Sequence, residues 1–222
     1  MEIFLDTANT EEINEILKWG IIKGITTNQK IFLKEKGCNF EEQSKKILKM
    51  VNPFPVSLEG PNNLKELLES ARFYNKWGKN VVIKVPMLAD GSGLTAVKIL
   101  EGEGIKTNVT AMMSVNQAFL AIQAGASYAS LFYNRIRDSG SDPIEVVKQS
   151  RAIIDNDGFK TKLIVGSIRN PTDVEEIISE NPHIITIPYK ILKQMPFHER
   201  TVSTLEEFDK SWEEFKKAEK IC

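Results

Sequence analysis

Eight short stretches rich in β-forming residues alternate with longer amphipathic stretches, and this alternation constrains the fold more than any other feature. The predicted strands lie at residues 3–6, 24–28, 55–59, 81–85, 107–110, 128–132, 162–167 and 184–187. Helical patterns lie between the strands, and a last one at 203–217 has no strand after it. Strands that alternate with helices in this way predict a parallel sheet covered by helices.

A parallel sheet of eight strands forms either a closed barrel or an open doubly wound sheet. The first strand is followed by Thr7-Ala8-Asn9, which lacks the glycines of a dinucleotide-binding turn. An eight-unit barrel typically contains ~250 residues, and the 222 residues of this chain leave little room for insertions. The sequence therefore predicts an α/β fold, a single (β/α)8 TIM barrel domain over 1–222, with an extra C-terminal helix at 203–220.

One lysine, Lys84, lies within the apolar stretch Val81-Val82-Ile83-Lys84-Val85-Pro86, which is typical of a buried strand. A buried cation is unfavourable unless it is paired or loses its proton. Burial favours the neutral form of a lysine, and a neutral amine can attack a carbonyl carbon to form a Schiff base. The alternative is structural, with Lys84 at the end of the strand reaching solvent or a carboxylate.

Polar side chains occur at or near the C-terminal ends of seven successive predicted strands. Side chains of a strand alternate between its two faces, and a barrel carries its catalytic site at the C-terminal end. The pairs that share a face are Phe4 and Asp6, Thr26 and Asn28, Ser57 and Glu59, Val82 and Lys84, Asn108 and Thr110, Ser130 and Phe132, and Ser167 and Arg169. The set predicts one pocket that contains Asp6, Glu59, Lys84 and Arg169, although each residue alone has a structural explanation.

Composition and spacing argue against several classes of function. The net charge of -1 gives no electrostatic footprint for nucleic acid or an anionic membrane surface. No apolar run approaches a membrane span, and the chain opens on a predicted strand rather than a secretory signal. Cys38, Cys222, His183 and His198 are not spaced as metal ligands. We therefore expect a cytoplasmic protein with no metal, no nucleic-acid partner and no membrane partner.

Seven groups of residues, each a weak signal alone, together resemble one family. They are Phe4-Leu5-Asp6-Thr7-Ala8-Asn9, Gly24-Ile25-Thr26-Thr27-Asn28, Val82-Ile83-Lys84-Val85-Pro86-Met87, Gly104-Ile105-Lys106-Thr107-Asn108-Val109-Thr110, Asn116-Gln117-Ala118 with Ala124-Gly125-Ala126, Phe132 with Arg135, and Ser167-Ile168-Arg169-Asn170-Pro171. From Met1 to about Trp212 the chain resembles the small transaldolases and the related fructose-6-phosphate aldolases. The resemblance implies an eight-fold α/β barrel with a Schiff-base lysine on the fourth strand, where Lys84 lies.

The resemblance also implies a reaction. The enzyme would cleave a ketose phosphate such as fructose 6-phosphate and pass a dihydroxyacetone unit to an aldose phosphate such as erythrose 4-phosphate. This reaction belongs to the non-oxidative pentose phosphate pathway and needs no metal or organic cofactor. Lys84 would form the Schiff base, Asp6 would move the proton of the C4 hydroxyl, and Glu59 with Thr110 would hold a water that shuttles protons.

Eight further residues would bind the substrate, according to the resemblance. They are Thr26, Asn28, Asn108, Ser130, Phe132, Arg135, Ser167 and Arg169. Asn28, Asn108 and Ser130 would bond the hydroxyls of the three-carbon unit. Arg135, Ser167 and Arg169 would bind the phosphate, for which the planar guanidinium group is well suited.

Two positions distinguish the two branches of the family. The transaldolases have Glu on the third strand and Phe on the sixth, where the aldolases have Gln and Tyr; this chain has Glu59 and Phe132. Phe132 has no hydroxyl that could protonate the enamine, which favours transfer over release of free dihydroxyacetone. An aldolase that releases dihydroxyacetone and a catalytically idle phosphosugar-binding protein remain the alternatives.

The chain departs from the family pattern near the predicted mouth of the barrel. Gln29-Lys30 stands where Pro-Ser or Pro-Thr is usual, Leu131 replaces a Pro, and Tyr133-Asn134 replaces a Val-Gly pair. Near the C-terminus, His198-Glu199-Arg200-Thr201-Val202 replaces His-Pro-Leu-Thr-Asp. These departures leave the proposed chemical groups in place and bear on substrate preference.

Assembly is a further expectation from the resemblance. The small members of the family look like pentamers or decamers in which the C-terminal helix packs on a neighbour. The apolar stripe on 203–217 is compatible with such a homo-oligomer, and equally with packing on its own barrel.

Overall fold

Eight parallel strands close into a barrel in sequence order, with β1 paired to both β2 and β8. The structure is a computed structural model that describes residues 1–219. Its strands are β1 Glu2–Asp6, β2 Ile22–Thr26, β3 Val56–Glu59, β4 Val81–Pro86, β5 Thr107–Met112, β6 Tyr128–Phe132, β7 Lys162–Gly166 and β8 Ile184–Pro188. The predicted α/β class and the (β/α)8 TIM barrel are confirmed.

Helices follow every strand, and most of them bury side chains against the outside of the barrel. They are α1 Thr10–Leu17, α2 Gln29–Phe32, α3 Phe40–Val51, α4 Leu64–Tyr74, α5 Ser92–Gly102, α6 Val115–Gln123, α7 Tyr133–Asp138, α8 Pro143–Asp157, α9 Pro171–Ser179, α10 Tyr189–Gln194 and α11 Glu199–Glu219. Asn9, Asn39 and Asn63 begin α1, α3 and α4 by accepting backbone N–H bonds, as capping residues do. Within residues 1–219, none of these helices is both long and apolar enough to span a membrane.

The second strand lies earlier than predicted, at Ile22–Thr26 instead of 24–28. Gly24 lies within this strand. The ring of Phe4 occupies the space where a side chain of residue 24 would be, since a Cβ there would stand 2.5 Å from the ring. Thr27 and Asn28 follow the strand, since the Asn28 side chain accepts the N–H of Ile31 and begins α2. The short helices α2, α7 and α10 were not predicted, because four to six residues show no helical periodicity.

The barrel interior is filled by a small cluster distinct from the main core between the strands and the helices. Five side chains form it: Phe4, Val82, Tyr128, Ile164 and Ile184. Each of the five side chains lies on the inner face of its strand. The next residue on that face comes two positions later, nearer the C-terminal end of the strand. The cluster closes the lower barrel, so that the residues which follow on the same faces meet in an open space above it.

The C-terminal helix begins at Glu199, four residues before the predicted start at residue 203. The ring nitrogen Nδ1 of His198 accepts the backbone N–H of Arg200 at 3.1 Å and so caps the helix. The predicted end at Lys220 and the terminal Cys222 lie outside the described residues.

No residue of α11 is buried over its described range. Its apolar stripe is exposed: Leu205 at 55%, Phe208 at 64%, Trp212 at 57% and Phe215 at 55%. The alternative in which this stripe packs on its own barrel is therefore wrong.

Candidate active site

A cavity of about 160 Å³ opens at the C-terminal end of the barrel. Its walls are formed by Asp6, Thr26, Asn28, Lys84, Asn108, Thr110, Ser130, Phe132, Arg135, Gly166, Ser167 and Thr186. The structure thus brings together ten of the twelve predicted site residues. The two that do not line the cavity are Glu59, which contacts Lys84 from the side, and Arg169.

Lys84 is paired rather than solvated. Its Nζ donates to Oε2 of Glu59 at 2.8 Å and to the carbonyl oxygen of Thr27 at 3.0 Å. The side chain of Lys84 is 7% exposed and that of Glu59 is 16% exposed. The two residues stand side by side because β3 and β4 pair with Glu59 opposite Lys84. The amine is therefore held at the cavity wall by a carboxylate. Of the two structural alternatives, a lysine that reaches solvent does not apply, whereas a lysine that contacts a carboxylate is what the structure shows, so the chemical role of Lys84 stays a prediction.

Asp6 is the second ionisable group of the cavity. Its Oδ1 accepts the hydroxyl of Thr26 at 2.7 Å, which leaves the hydroxyl of Thr186 to donate to the Thr26 oxygen at 2.6 Å. Burial raises the pKa of the Asp6 carboxyl above its ordinary value, and the Thr26 bond and the Lys84 charge oppose this only in part. A carboxyl with a raised pKa changes its protonation state more readily near neutral pH, as a general base and acid requires.

A chain of neutral polar groups crosses the floor of the cavity from β6 to β3. The hydroxyl of Ser130 donates to Oδ1 of Asn108 at 2.7 Å, and Nδ2 of Asn108 donates to Oγ of Ser57 at 3.2 Å. Thr110 differs from them, because its buried hydroxyl has no partner within residues 1–219. A buried hydroxyl without a partner is unfavourable, so this one is available to a water or a substrate atom.

Arg135 stands at the rim, on α7. Its guanidinium lies over the ring of Phe132, 5.4 Å from the centroid, in a cation–π contact. Ser167 borders the same side of the cavity from the β7–α9 loop. Together they present one cation and one hydroxyl at the entrance.

Arg169 does not lie in the cavity, contrary to the inner-face argument. Strand β7 ends at Gly166, and Ser167 adopts a φ of 65°, so the alternation of faces stops one residue earlier than predicted. Arg169 is half exposed, and its guanidinium donates to both carboxylate oxygens of Asp138. The role predicted for Arg169 in phosphate binding therefore requires it to leave this ion pair.

Three contributors were missed from the sequence: Thr186, Gly166 and Thr27. Thr186 shares the inner face of β8 with Ile184, and alternation of faces extended to the eighth strand predicts it. Gly166 lines the cavity at the end of β7 without a side chain. Thr27 contributes only its carbonyl oxygen to Lys84, and a backbone atom leaves no signal in residue types. Gln29, one of the departures from the family pattern, donates from its side chain to the carbonyl oxygen of Gly60 at 3.0 Å and ties α2 to the residue after Glu59.

A closed parallel barrel with a lysine–carboxylate pair and a second carboxyl at its C-terminal end has the architecture of a barrel enzyme. One similar solved structure, titled "Mandelate oxidase mutant-Y128F with the monooxide FMN adduct", has a TM-score of 0.55 and 13% sequence identity, and the match covers 85% of this chain and 64% of that chain. At this identity the likeness shows the fold alone. Among residues 1–219, no group of three or more His, Cys, Asp or Glu side chains could hold a metal ion.

Sequence comparison identifies the family. The family described as "Transaldolase/Fructose-6-phosphate aldolase" matches residues 3–221. Proteins named "Probable transaldolase" from Lactiplantibacillus plantarum, Alkaliphilus metalliredigens and Caldicellulosiruptor saccharolyticus are 41%, 43% and 44% identical to this chain, over 99%, 96% and 98% of it and 100%, 98% and 99% of their own lengths. The chain belongs to the transaldolase/fructose-6-phosphate aldolase family and is a transaldolase-type enzyme, which confirms the resemblance.

The raised pKa of Asp6 predicts that Asp6→Asn stabilises the protein at neutral pH. A carboxyl whose folded pKa lies above its unfolded value, about 3.9 for Asp, stabilises the fold while it is protonated, and this contribution is lost as the pH rises through the folded pKa. Asparagine carries no charge and keeps the acceptor for Thr26. The variant should therefore have a higher melting temperature than the parent at pH 8, and the difference should shrink towards pH 4.

Asp90→Asn is the matched control, because hydrogen bonds from Ser92 lower the pKa of this exposed carboxyl. It should give no gain in melting temperature at pH 8. A parent protein that is more stable than Asp6→Asn at pH 8 would contradict the raised pKa.

Proposed function

We propose that this protein is a transaldolase that transfers a dihydroxyacetone unit from fructose 6-phosphate to erythrose 4-phosphate through a Schiff base on Lys84. The observation that carries the proposal is the amine of Lys84, which is hydrogen-bonded to Glu59 and lines a cavity together with the carboxyl of Asp6. Family membership narrows the chemistry to aldol cleavage and transfer. The substrates themselves are those that the family resemblance implies.

The first step needs a neutral amine and a group that takes its proton. The carboxylate of Glu59, 2.8 Å from Nζ, is in position to take it. The amine then attacks C2 of the ketose, and the carbinolamine loses its hydroxyl as water to give the iminium ion. The unpartnered hydroxyl of Thr110 supports the prediction that Thr110 and Glu59 hold the water that carries these protons.

The second step breaks the bond between C3 and C4. Asp6 removes the proton of the C4 hydroxyl, the electron pair of the broken bond moves into the iminium to form an enamine, and the aldose phosphate leaves. Thr26 and Thr186 keep the Asp6 carboxylate oriented through their chain of hydroxyls. With a second aldose phosphate, the same steps in reverse order form a new ketose phosphate and free Lys84.

The polar chain on the cavity floor is suited to hold the three-carbon unit between the two halves of the reaction. Ser130 and Asn108 are preoriented by their mutual hydrogen bond, and Asn28 stands at the opposite wall. Phe132 offers an apolar ring where a proton donor would quench the enamine to free dihydroxyacetone. This favours transfer over release.

Arg135 and Ser167 are our candidates for binding the phosphate at the rim. Their guanidinium and hydroxyl groups suit phosphate oxygens, and both line the entrance. Arg169 joins them only if a phosphate replaces Asp138 as its partner.

Replacing Lys84 by methionine tests the proposal. Lys84→Met should abolish transfer and should gain no mass when fructose 6-phosphate and borohydride are added, because no amine remains to form the reducible imine. The parent protein should gain the mass of a reduced dihydroxyacetone unit. Lys162→Met, which removes an exposed lysine paired with Glu2, is the control and should behave as the parent.

A parent protein that gains no such mass would contradict the Schiff base and would favour the idle phosphosugar-binding alternative.

The remaining alternative is a fructose-6-phosphate aldolase on the same scaffold. Phe132 argues against an aldolase, because its ring has no hydroxyl to protonate the enamine. Dependence of turnover on an aldehyde acceptor distinguishes a transaldolase from an aldolase. Incubation with fructose 6-phosphate alone should release little free dihydroxyacetone over many enzyme equivalents, whereas added erythrose 4-phosphate should start turnover. Sustained release of dihydroxyacetone without an aldehyde acceptor would establish the aldolase.

Replacing Arg135 by alanine tests the phosphate site. Loss of one charge-assisted partner should weaken binding by about 2 kcal/mol, roughly a 30-fold rise in KM for fructose 6-phosphate. The kcat/KM for unphosphorylated fructose should stay near that of the parent. Arg151→Ala, at a partly buried arginine that is paired with Asp155 and does not line the cavity, is the control. An unchanged KM in Arg135→Ala would remove Arg135 from the phosphate site.

We also propose a homo-oligomer, a pentamer or decamer, in which α11 packs on a neighbouring subunit. The exposed stripe of Leu205, Phe208, Trp212 and Phe215 supports this, because such a row of large apolar side chains is typical of an interface. The mass of the native assembly gives the number of subunits directly.

The pentose phosphate pathway and the cytoplasm are the setting that the family resemblance implies, with no cofactor expected.

A further inference from the structure

One buried amide lies between helix α7 and the β7–α9 loop, the two segments that carry the candidate phosphate ligands. Asn134 is on α7, next to Arg135 in sequence, and is only 2% exposed. Its donors and acceptor lie away from the cavity wall, where Arg135 and Ser167 lie. Nothing in the proposed chemistry uses it directly.

The amide of Asn134 joins α7 to the β7–α9 loop. Its Nδ2 donates to the carbonyl oxygen of Ser167 at 2.9 Å and to Oδ2 of Asp173 at 2.6 Å. Its Oδ1 accepts from Nη1 of Arg137 at 3.1 Å, which settles the orientation of the amide. The donor and acceptor groups of this buried side chain are thus used in one network.

Asp173 fixes the loop from the other side. It is 1% exposed, and its Oδ2 accepts the backbone N–H groups of Arg169 at 2.8 Å and Asn170 at 3.2 Å. Burial works against a charge on Asp173. The hydrogen bonds from these backbone groups and from the side chains of Asn134 and Arg137 outweigh burial and hold the pKa of the carboxyl below its ordinary value. The carboxylate therefore stays charged and keeps the loop closed around it.

Ser167 needs such support. Its φ of 65° lies in the left-handed region, which is unfavourable for a residue with a side chain and persists only where the surroundings hold it. The bond from Asn134 to the Ser167 carbonyl is a direct restraint on this peptide. The residue that orients Ser167 is also the immediate neighbour of Arg135.

We propose that Asn134 is a positioning residue that sets the spacing between the Arg135 guanidinium and the Ser167 hydroxyl and so shapes the phosphate site. The inference rests on the proposed function, since that function assigns the phosphate to these two residues. Without the amide, α7 and the loop lose a direct link, and the two ligands no longer meet the same phosphate in one fixed geometry.

Inorganic phosphate, measured by titration calorimetry, is the probe, because its binding does not depend on turnover. Asn134→Ala should weaken phosphate binding about tenfold and raise KM for fructose 6-phosphate by a similar factor. The kcat for fructose 6-phosphate should stay within about twofold of the parent value. The kcat/KM for unphosphorylated fructose should also stay within about twofold.

Tyr133→Phe is the matched control. It removes a hydrogen bond from α7 to Glu176 on α9 at 2.7 Å without touching the peptide of Ser167, and it should leave phosphate binding unchanged. Asn134→Ser, a smaller change, is measured alongside in case Asn134→Ala folds poorly, and it should also weaken phosphate binding.

Weaker phosphate binding in the Asn134 variants but not in Tyr133→Phe supports the proposal. Unchanged binding in the Asn134 variants, an equal loss in Tyr133→Phe, or no phosphate binding by the parent overturns it. Failure of the proposed function is a separate result: it shows as absence of a trapped adduct on the parent protein, whatever the phosphate titration gives.

Discussion

The ion pair between Lys84 and Glu59 is the interaction on which the rest of the site depends. Two nearly buried charges are unfavourable in a barrel interior unless each neutralises the other, and removal of either leaves an uncompensated charge. The pair is possible because β3 and β4 place the two residues directly opposite each other. The apolar cluster below, from Phe4 to Ile184, fills the lower barrel, and the polar groups line the cavity above it.

The two buried carboxyl groups, Asp6 and Asp173, differ in their hydrogen-bond partners and in the direction of their pKa shifts. Around Asp6 the bonds come from hydroxyls and the carboxyl keeps a raised pKa, so it can exchange a proton. Around Asp173 the bonds come from backbone N–H groups, an amide and a guanidinium, which lower the pKa and make a permanent structural anion. The first environment suits a group that reacts, and the second suits a group that holds a loop. The proposed catalytic end and the proposed phosphate-binding end of the cavity thus have different chemistry on the same barrel.

Much of this was predictable because a parallel barrel obeys simple periodicity. Alternation of faces places Asp6 above Phe4 and Lys84 above Val82, and the structure confirms both. Alternation of faces did not place Arg169 correctly, because the left-handed backbone at Ser167 ends the alternation. The guanidinium of Arg169 is paired instead with Asp138, which is distant in sequence. Short helices such as α7 and the carbonyl contact from Thr27 have no pattern in residue types, so only the three-dimensional structure reveals them. The motifs of the resemblance indicated the candidate site, but they gave no indication of the hydrogen-bond network of Asn134.

The proposed reaction requires that the amine of Lys84, and no other amine, forms the covalent bond to the substrate. Peptide mapping of the parent protein by mass spectrometry, after reduction with borohydride in the presence of fructose 6-phosphate, tests this most directly. We expect the reduced three-carbon modification on the peptide that contains Lys84 and on no other lysine. Modification of a different lysine, with the Lys84 peptide unchanged, would contradict it.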